Sequence, residues 1–238
     1  LECVKSARFL APVDSPDHRK YAPDREVEVQ HLALDVTPDF KQRTLAGTAT
    51  WQFQPIIKPV REVKLDAVDL SVQSVTATEK IQGYQVTAKQ VIVTFAEPLP
   101  LGRSVSLTIA YRAEPAQGLY FRTPEMGYKE GDTHLFTQGE SIEARHWYPC
   151  FDSPNELFTS EITCHVPDGM TVISNGRLVA ETKDPATGLK VAHWSQEKRH
   201  ANYLISLVAG YFQKLEDKYN QVPLAFFTPP SEIKEIGR

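Results

Sequence analysis

The sequence predicts an all-β fold: sandwich-like antiparallel sheets with almost no helix. Apolar residues recur at every second position in one run after another, the pattern of strands with one buried face. Proline, glycine and asparagine cluster between those runs, where turns need them. No stretch before residue 231 keeps ten residues of 3.6-residue periodicity, so the regular elements are short strands rather than helices.

Residues 1–25 contain three prolines and many charges without periodicity and read as an extended arm. From Val27 the chain alternates. Val27 and Val29 lead to Leu32, Leu34 and Val36, and the change of parity between them predicts a β-bulge. After a turn at Pro38-Asp39, the residues Leu45, Ala49, Trp51 and Phe53 share a face. Val91/Val93/Phe95 and Val105/Leu107/Ile109/Tyr111 form two more runs, separated by Pro98-Leu99-Pro100-Leu101-Gly102. Phe158 to Val166 alternates again, followed by a Pro167-Asp168-Gly169 turn and Thr171–Ser174. Asn175-Gly176 is a tight-turn signal leading into Arg177–Ala180, and that run continues to Lys183. Val191–Trp194, Tyr203–Val208, Tyr211–Leu215 and Val222–Thr228 complete the strands. Pro229-Pro230 stops the last one, and Ser231 reads as the N-cap of a helix over Glu232–Ile236. The expected organisation is an arm over 1–25, a β-rich domain over 26–228, and a linker with the start of a further helix over 229–238.

The 238 residues are 41% hydrophobic and 24% charged, enough apolar material for a sizeable core. Twenty-six basic and 30 acidic residues give −4, and no basic run is long enough to form a nucleic-acid groove. No segment approaches the ~18 apolar residues of a membrane span. Cys3, Cys150 and Cys164 are too few for a disulfide framework, fit a reducing compartment such as the cytoplasm, and read mainly as thiols. The seven histidines are never four apart, so a His-Glu-x-x-His zinc helix is missing, as are Cys-x-x-Cys, Gly-x-Ser-x-Gly and phosphate-loop motifs. This chain therefore offers no catalytic residue and no metal ligand.

One stretch is chemically dense. Between His134 and Glu161, Gln138, Glu140, Glu143, Arg145, Asp152 and Glu156 lie among Trp147, Tyr148 and Phe151. Polar groups so close to large aromatics must be paired or face a cleft. Read from the residues alone, this is either a structural network, with Arg145 bridged to a carboxylate beneath an aromatic lid, or the wall of a site. Trp147 and Cys150 read as core.

The segment TQGE at 137–140, followed by EARHWYPCFDSPNE at 143–156, resembles the N-terminal domain of the aminopeptidase N family of zinc metallopeptidases, which includes leukotriene hydrolase. LALDVTPDFKQRTLAGTATWQF, VTFAEPLPLGRSVSLTIAYRAE, GLYFR, VPDGMTVISNGRLV and YLISLVAGYF follow the family's order, so the resemblance spans about residues 26–228. It implies a saddle-shaped β-domain packed on a separate catalytic domain. That domain would hold the zinc and the Gly-x-Met-Glu-Asn motif, while this chain binds no cofactor itself and is inactive alone. It further implies that Glu140 holds the α-ammonium of a peptide substrate and that Gln138 lines the first side-chain pocket. Glu143, Arg145 and Asp152 would be supports that fix the loop. The implied partners are a peptide N-terminus and the protein's own catalytic domain, with no nucleic acid.

A noncatalytic scaffold on the same fold is the alternative. HWYPCFDS also resembles the relative among the TATA-binding-protein-associated factors, and Ser153 stands where the family often has an acidic residue. Glu140 favours the enzyme, since a scaffold has no need of an ammonium anchor. A free-standing β-sandwich binding module accounts for the alternation but not for the helix start at 231–238. The sequence beyond Arg238 would separate the three.

Overall fold

A computed structural model of the chain describes residues 25–235, so the predicted arm lies outside the described residues except for Arg25. The strands are β1 (Val27–Asp39), β2 (Thr44–Pro55), β3 (Val60–Asp66), β4 (Ser71–Ala77), β5 (Ile81–Val86) and β6 (Gln90–Leu99). They continue as β7 (Val105–Ala113), β8 (Leu119–Arg122), β9 (His134–Thr137), β10 (Leu157–Val166) and β11 (Thr171–Ser174). The last five are β12 (Arg177–Lys183), β13 (Lys190–Ala201), β14 (Leu207–Gly210), β15 (Gln213–Tyr219) and β16 (Val222–Thr228). Helical structure among the described residues is confined to short 3-10 turns, including Ala144–His146, Asn202–Leu204 and Pro230–Glu235. The fold is all-β and sandwich-like, and among the described residues no helix is long and apolar enough to cross a membrane.

Four sheets form. A seven-stranded sheet runs β12-β13-β10-β1-β2-β7-β4, a four-stranded one β11-β14-β9-β8, a three-stranded one β3-β6-β5, and β15 pairs only with β16. The pairings are antiparallel but for one: β1 and β10 run parallel, with Leu34 opposite Ile162. The parity change of β1 is realised as a register shift between Val29 and His31. It brings Leu32, Leu34 and Val36 inward beside Leu45, Trp51 and Phe53 of β2, all buried. Val91, Val93 and Phe95 of β6, with Leu135 and Leu207 of the four-stranded sheet, belong to the same core. Trp51 is its hub: its indole N–H donates to Pro149 O at 2.9 Å, and its ring meets those of Phe158 and Phe151 edge-on at 5.1 and 5.3 Å. Truncating such a side chain to alanine typically costs about 3–5 kcal/mol.

The outer face of the seven-stranded sheet is polar and satisfies itself across strands. His31 pairs with Thr159 at 2.7 Å, His193 with Thr163 at 3.0 Å, and His165 with Asp35 at 2.8 Å.

Several boundaries differ from the sequence reading. β1 continues through Pro38-Asp39, and the turn follows it, where Asp39 Oδ1 accepts from Gln42 N–H and Arg43 takes a left-handed φ of 55°. Pro98 and Leu99 belong to β6, Leu99 opposite Val60. Residues 202–204 form a 3-10 turn rather than the start of a strand, because Asn202 turns its amide inward to the buried Asp152. Ser231 is not an N-cap: it lies inside the 3-10 turn, and its N–H and hydroxyl both donate to Asp132, at 3.0 and 2.5 Å. Strands β3, β4, β5, β8 and β9 add to the predicted set.

Candidate functional site

β9 delivers Gln138 and Glu140. Its pairing with β8 runs one residue past the strand, where Gln138 N–H donates to Gly118 O at 2.9 Å. Thr137 is fastened on the other side, its hydroxyl oxygen accepting from Leu207 N–H at 2.9 Å. Glu143 N–H then donates to Gly139 O at 3.0 Å and closes a small loop between them.

Two glycines permit this packing. A Cβ on Gly139 would lie 2.7 Å from Tyr203 O, inside van der Waals contact. Gly118 has a left-handed φ of 76°, and a Cβ there would sit 2.1 Å from Glu143 O. The backbone of the loop is thus pressed between two neighbouring segments. Gly139 is buried, while Gln138 and Glu140 on either side of it are exposed.

The supports divide into two groups. Arg145 and Asp152 come together, Arg145 Nε donating to Asp152 Oδ2 at 2.8 Å and Arg145 Nη2 to the Asp152 carbonyl at 3.2 Å. Asp66 Oδ2 is 3.7 Å from the same guanidinium and accepts from Asp152 N–H at 3.3 Å. On its other oxygen Asp152 accepts from Asn202 Nδ2 at 2.8 Å, and Asn202 Oδ1 accepts from the buried Tyr148 hydroxyl at 2.6 Å. Burial alone would lower the Arg145 pKa, but the bond to Asp152 and the charges of Asp66 and Asp152 reverse this and raise it.

The backbone joins in, since Cys150 and Asp66 exchange hydrogen bonds of 2.7 and 2.9 Å and Val68 N–H donates to Arg145 O at 3.0 Å. Glu143 is not part of this network. One of its oxygens is buried 3.4 Å from His146 Nε2, without a hydrogen bond among the described residues. Glu156 pairs instead with Arg25 at 3.1 Å.

The arrangement is a shelf. A carboxylate and a carboxamide project from a backbone held by sheet pairing, glycine contacts and a buried ion network, and such groups can accept hydrogen bonds from a cation. Nothing in it is a nucleophile: Cys150 is buried, and burial pushes its thiol well above the ordinary range. Among the described residues no group of three or more His, Cys, Asp or Glu could hold a metal ion.

Asp66, Asn202 and Gly118 are the members of the site that the sequence did not single out. Asp66 lies 86 positions from Asp152 and Asn202 lies 50, and neither carries a local signal. Gly118 begins the GLYFR segment, which pointed to it only as part of a longer resemblance.

The family model described as "Peptidase M1 N-terminal domain" matches residues 16–204. Aminopeptidase M1 of Arabidopsis thaliana is 28% identical over 198 residues, which cover 77% of this chain and 22% of that protein. Aminopeptidase 2, mitochondrial, of Saccharomyces cerevisiae is 26% identical over 246 residues, 98% of this chain and 25% of its own length. The chain spans about a quarter of the length of these curated relatives. A two-domain M1 zinc metallopeptidase solved with L-tryptophan superposes with a TM-score of 0.69 at 21% identity, over 85% of this chain and 47% of that one. The M1 zinc metallopeptidase from Deinococcus radiodurans gives 0.69 at 23%, over 82% and 44%. These structural matches establish a shared fold.

Proposed function

The chain belongs to the peptidase M1 N-terminal domain family, and from that premise we propose that it is the substrate-anchoring domain of a zinc-dependent aminopeptidase. The observation that supports this reading is the pair Gln138 and Glu140, exposed on either side of the buried Gly139. An aminopeptidase must recognise the charged amino end of its substrate. A fixed carboxylate at the edge of a cleft does so through a charge-assisted hydrogen bond of about 2.7–2.9 Å. Glu140 takes that role, and Gln138, two residues earlier, borders the first side chain. Glu143, Arg145 and Asp152 hold the loop rather than touch the peptide.

Anchoring the ammonium sets the distance from the chain end to the scissile bond, which lowers the entropic barrier without any bond being made by this domain. The zinc belongs to another, catalytic domain of the same protein.

The test is Glu140→Gln in the full-length protein. Losing a charged partner of the ammonium costs about 1.5–3 kcal/mol, so kcat/KM for substrates with a free amine falls roughly tenfold to hundredfold. Zinc content stays at the parent level. Unchanged kcat/KM would return Glu140 to the ordinary surface.

A further inference from the structure

One face of β8 and β9 gathers a cation, an imidazole and several aromatic rings that the anchoring loop does not use. Leu119 and Phe121 of β8 and Leu135 of β9 are buried, so Tyr120, Arg122, His134 and Phe136 share the opposite face. Arg122 stands directly across from His134, and Tyr120 across from Phe136, with the latter rings stacked at 5.4 Å. The same alternation carries this face on to Gln138.

The Arg122 guanidinium carbon lies 5.1 Å from the centroid of the Phe136 ring and 5.6 Å from that of Tyr128. Such contacts hold the cation against apolar surface and fix its orientation. Among the described residues its side chain makes one hydrogen bond, Nη1 donating to Phe121 O at 3.0 Å. A guanidinium has five N–H donors. Arg25, Arg103, Arg145, Arg177 and Arg199 each face a carboxylate, whereas Arg122 has none within 4 Å among the described residues.

His134 Nδ1 lies 2.7 Å from the Asp132 carbonyl, which can only accept, so that nitrogen carries the ring proton. Its Nε2 makes no hydrogen bond among the described residues, and Phe212 and Tyr128 border the ring at 5.6 and 6.4 Å. The carboxylate of Asp132 is already engaged, since Ser231 donates to both its oxygens.

We propose that Arg122 and His134 form a carboxylate-binding site, framed by Tyr120, Tyr128, Phe136 and Phe212. The planar guanidinium fork matches the two oxygens of a carboxylate. Nε2 of a protonated His134 adds a donor from the neighbouring strand. Without an anion, a protonated imidazole opposite an arginine is a repulsive cross-strand pair, and a carboxylate between them makes it a favourable one. The flat pair offers too few donors to enclose a tetrahedral phosphate.

Two sources carry that chemistry. One is the carboxyl end of a short peptide lying along the face. His134 is four residues from Gln138, about 13 Å of strand, which about four further residues of an extended peptide would span. The other source is an acidic side chain of another domain of the full-length protein. The first source rests on the aminopeptidase reading above, and the second does not.

Peptides of four or five residues ending in a free carboxylate, compared with their carboxamides in the full-length protein, test the site. If the substrate supplies the carboxylate, kcat/KM for the acid exceeds that for the amide by roughly tenfold to hundredfold. Arg122→Leu then brings that ratio close to one, and Arg122→Lys, which keeps the charge but not the fork, retains part of it. If another domain supplies it, the ratio is near one throughout. A crystal structure of the full-length protein then shows an aspartate or glutamate oxygen within hydrogen-bonding distance of the Arg122 guanidinium. A ratio near one with no carboxylate on Arg122 in that structure overturns the proposal. So does a high ratio that survives Arg122→Leu, because the carboxylate is then read elsewhere. The parent's ratio and the crystal structure need no variant, so a misfolded Arg122→Leu leaves the test standing. Glu140→Gln is expected to lower acid and amide alike. Its having no effect would sink the anchoring role and leave the acid-to-amide ratio to judge this site.

Discussion

Arg145 Nε donates to Asp152 Oδ2 at 2.8 Å, with the Asp152 side chain 2% and the Arg145 side chain 22% exposed. The pair follows the Glu140 loop in sequence, and Asn202 reaches it from the 3-10 turn at 202–204 while Asp66 reaches it from β3. Removing one member leaves the other charge half-buried without its partner. Asp152→Ala is therefore expected to lower stability by about 3 kcal/mol in urea denaturation. A loss under ~1 kcal/mol would show that the pair behaves as an ordinary surface ion pair.

Gly139→Ala tests the shelf itself. The added methyl meets the backbone of Tyr203, which cannot swing aside as a flexible side chain would. The variant should lose about 1–3 kcal/mol and shift the loop that carries Glu140. Substrate affinity in the full-length protein should fall with it. An alanine variant with parent stability and parent KM would mean that the loop is free to move.

His31 and His200 link stability to pH. Burial is the leading cause that holds both below the ordinary histidine value, with the charge of Glu161 opposing it at His31 and the bond to Ala201 O opposing it at His200. The unfolded chain then takes up their protons at a higher pH than the folded one. Their contribution is complete above about pH 6.5 and is lost as pH falls toward their folded values. Unfolding midpoints in urea should drop between pH 7 and pH 5, and His31→Gln with His200→Gln should flatten that slope. Glu156 acts in the other sense, because burial raises its pKa, and acidification through that value relieves its cost.

Cys150 and Cys164 are free thiols, both buried. Burial lifts Cys164 to about 12 and Cys150 well above the usual range. At pH 8 neither should react with iodoacetamide until the protein is unfolded, as peptide mass mapping would show. Rapid labelling of either in the native protein would mean that its strand opens easily.

The strands that could be read from the sequence are those with one dry face or with clear turn residues at their ends. Val222–Thr228 is bounded by a turn and two prolines, and the run from Phe158 to Val166 alternates without a break, so both stand within a residue of their observed limits. β4 and β5 carry few buried residues, which leaves no period-two contrast to detect. The parallel neighbour of β1 could not be foreseen, since pairing partners leave no mark in local composition.

The site divides the same way. Arg145 with a carboxylate partner was visible as charge crowded among aromatics within a dozen residues. Asp66 and Asn202 were not, because only the folded sheets bring them there.

The joining of β1 to β10 also sets an order on the birth of the molecule. His31 and Thr159 face each other across 128 positions of chain. A ribosome adding about 5–20 residues per second needs roughly ten seconds to supply that interval. Through it the β1–β2 pair has an open edge in what will become the middle of the largest sheet. Such an edge is a template for the wrong strand as well as the right one. The nascent chain is thus most exposed to aggregation before residue 166 emerges, and a chaperone that covers the β1 edge in that window would protect it.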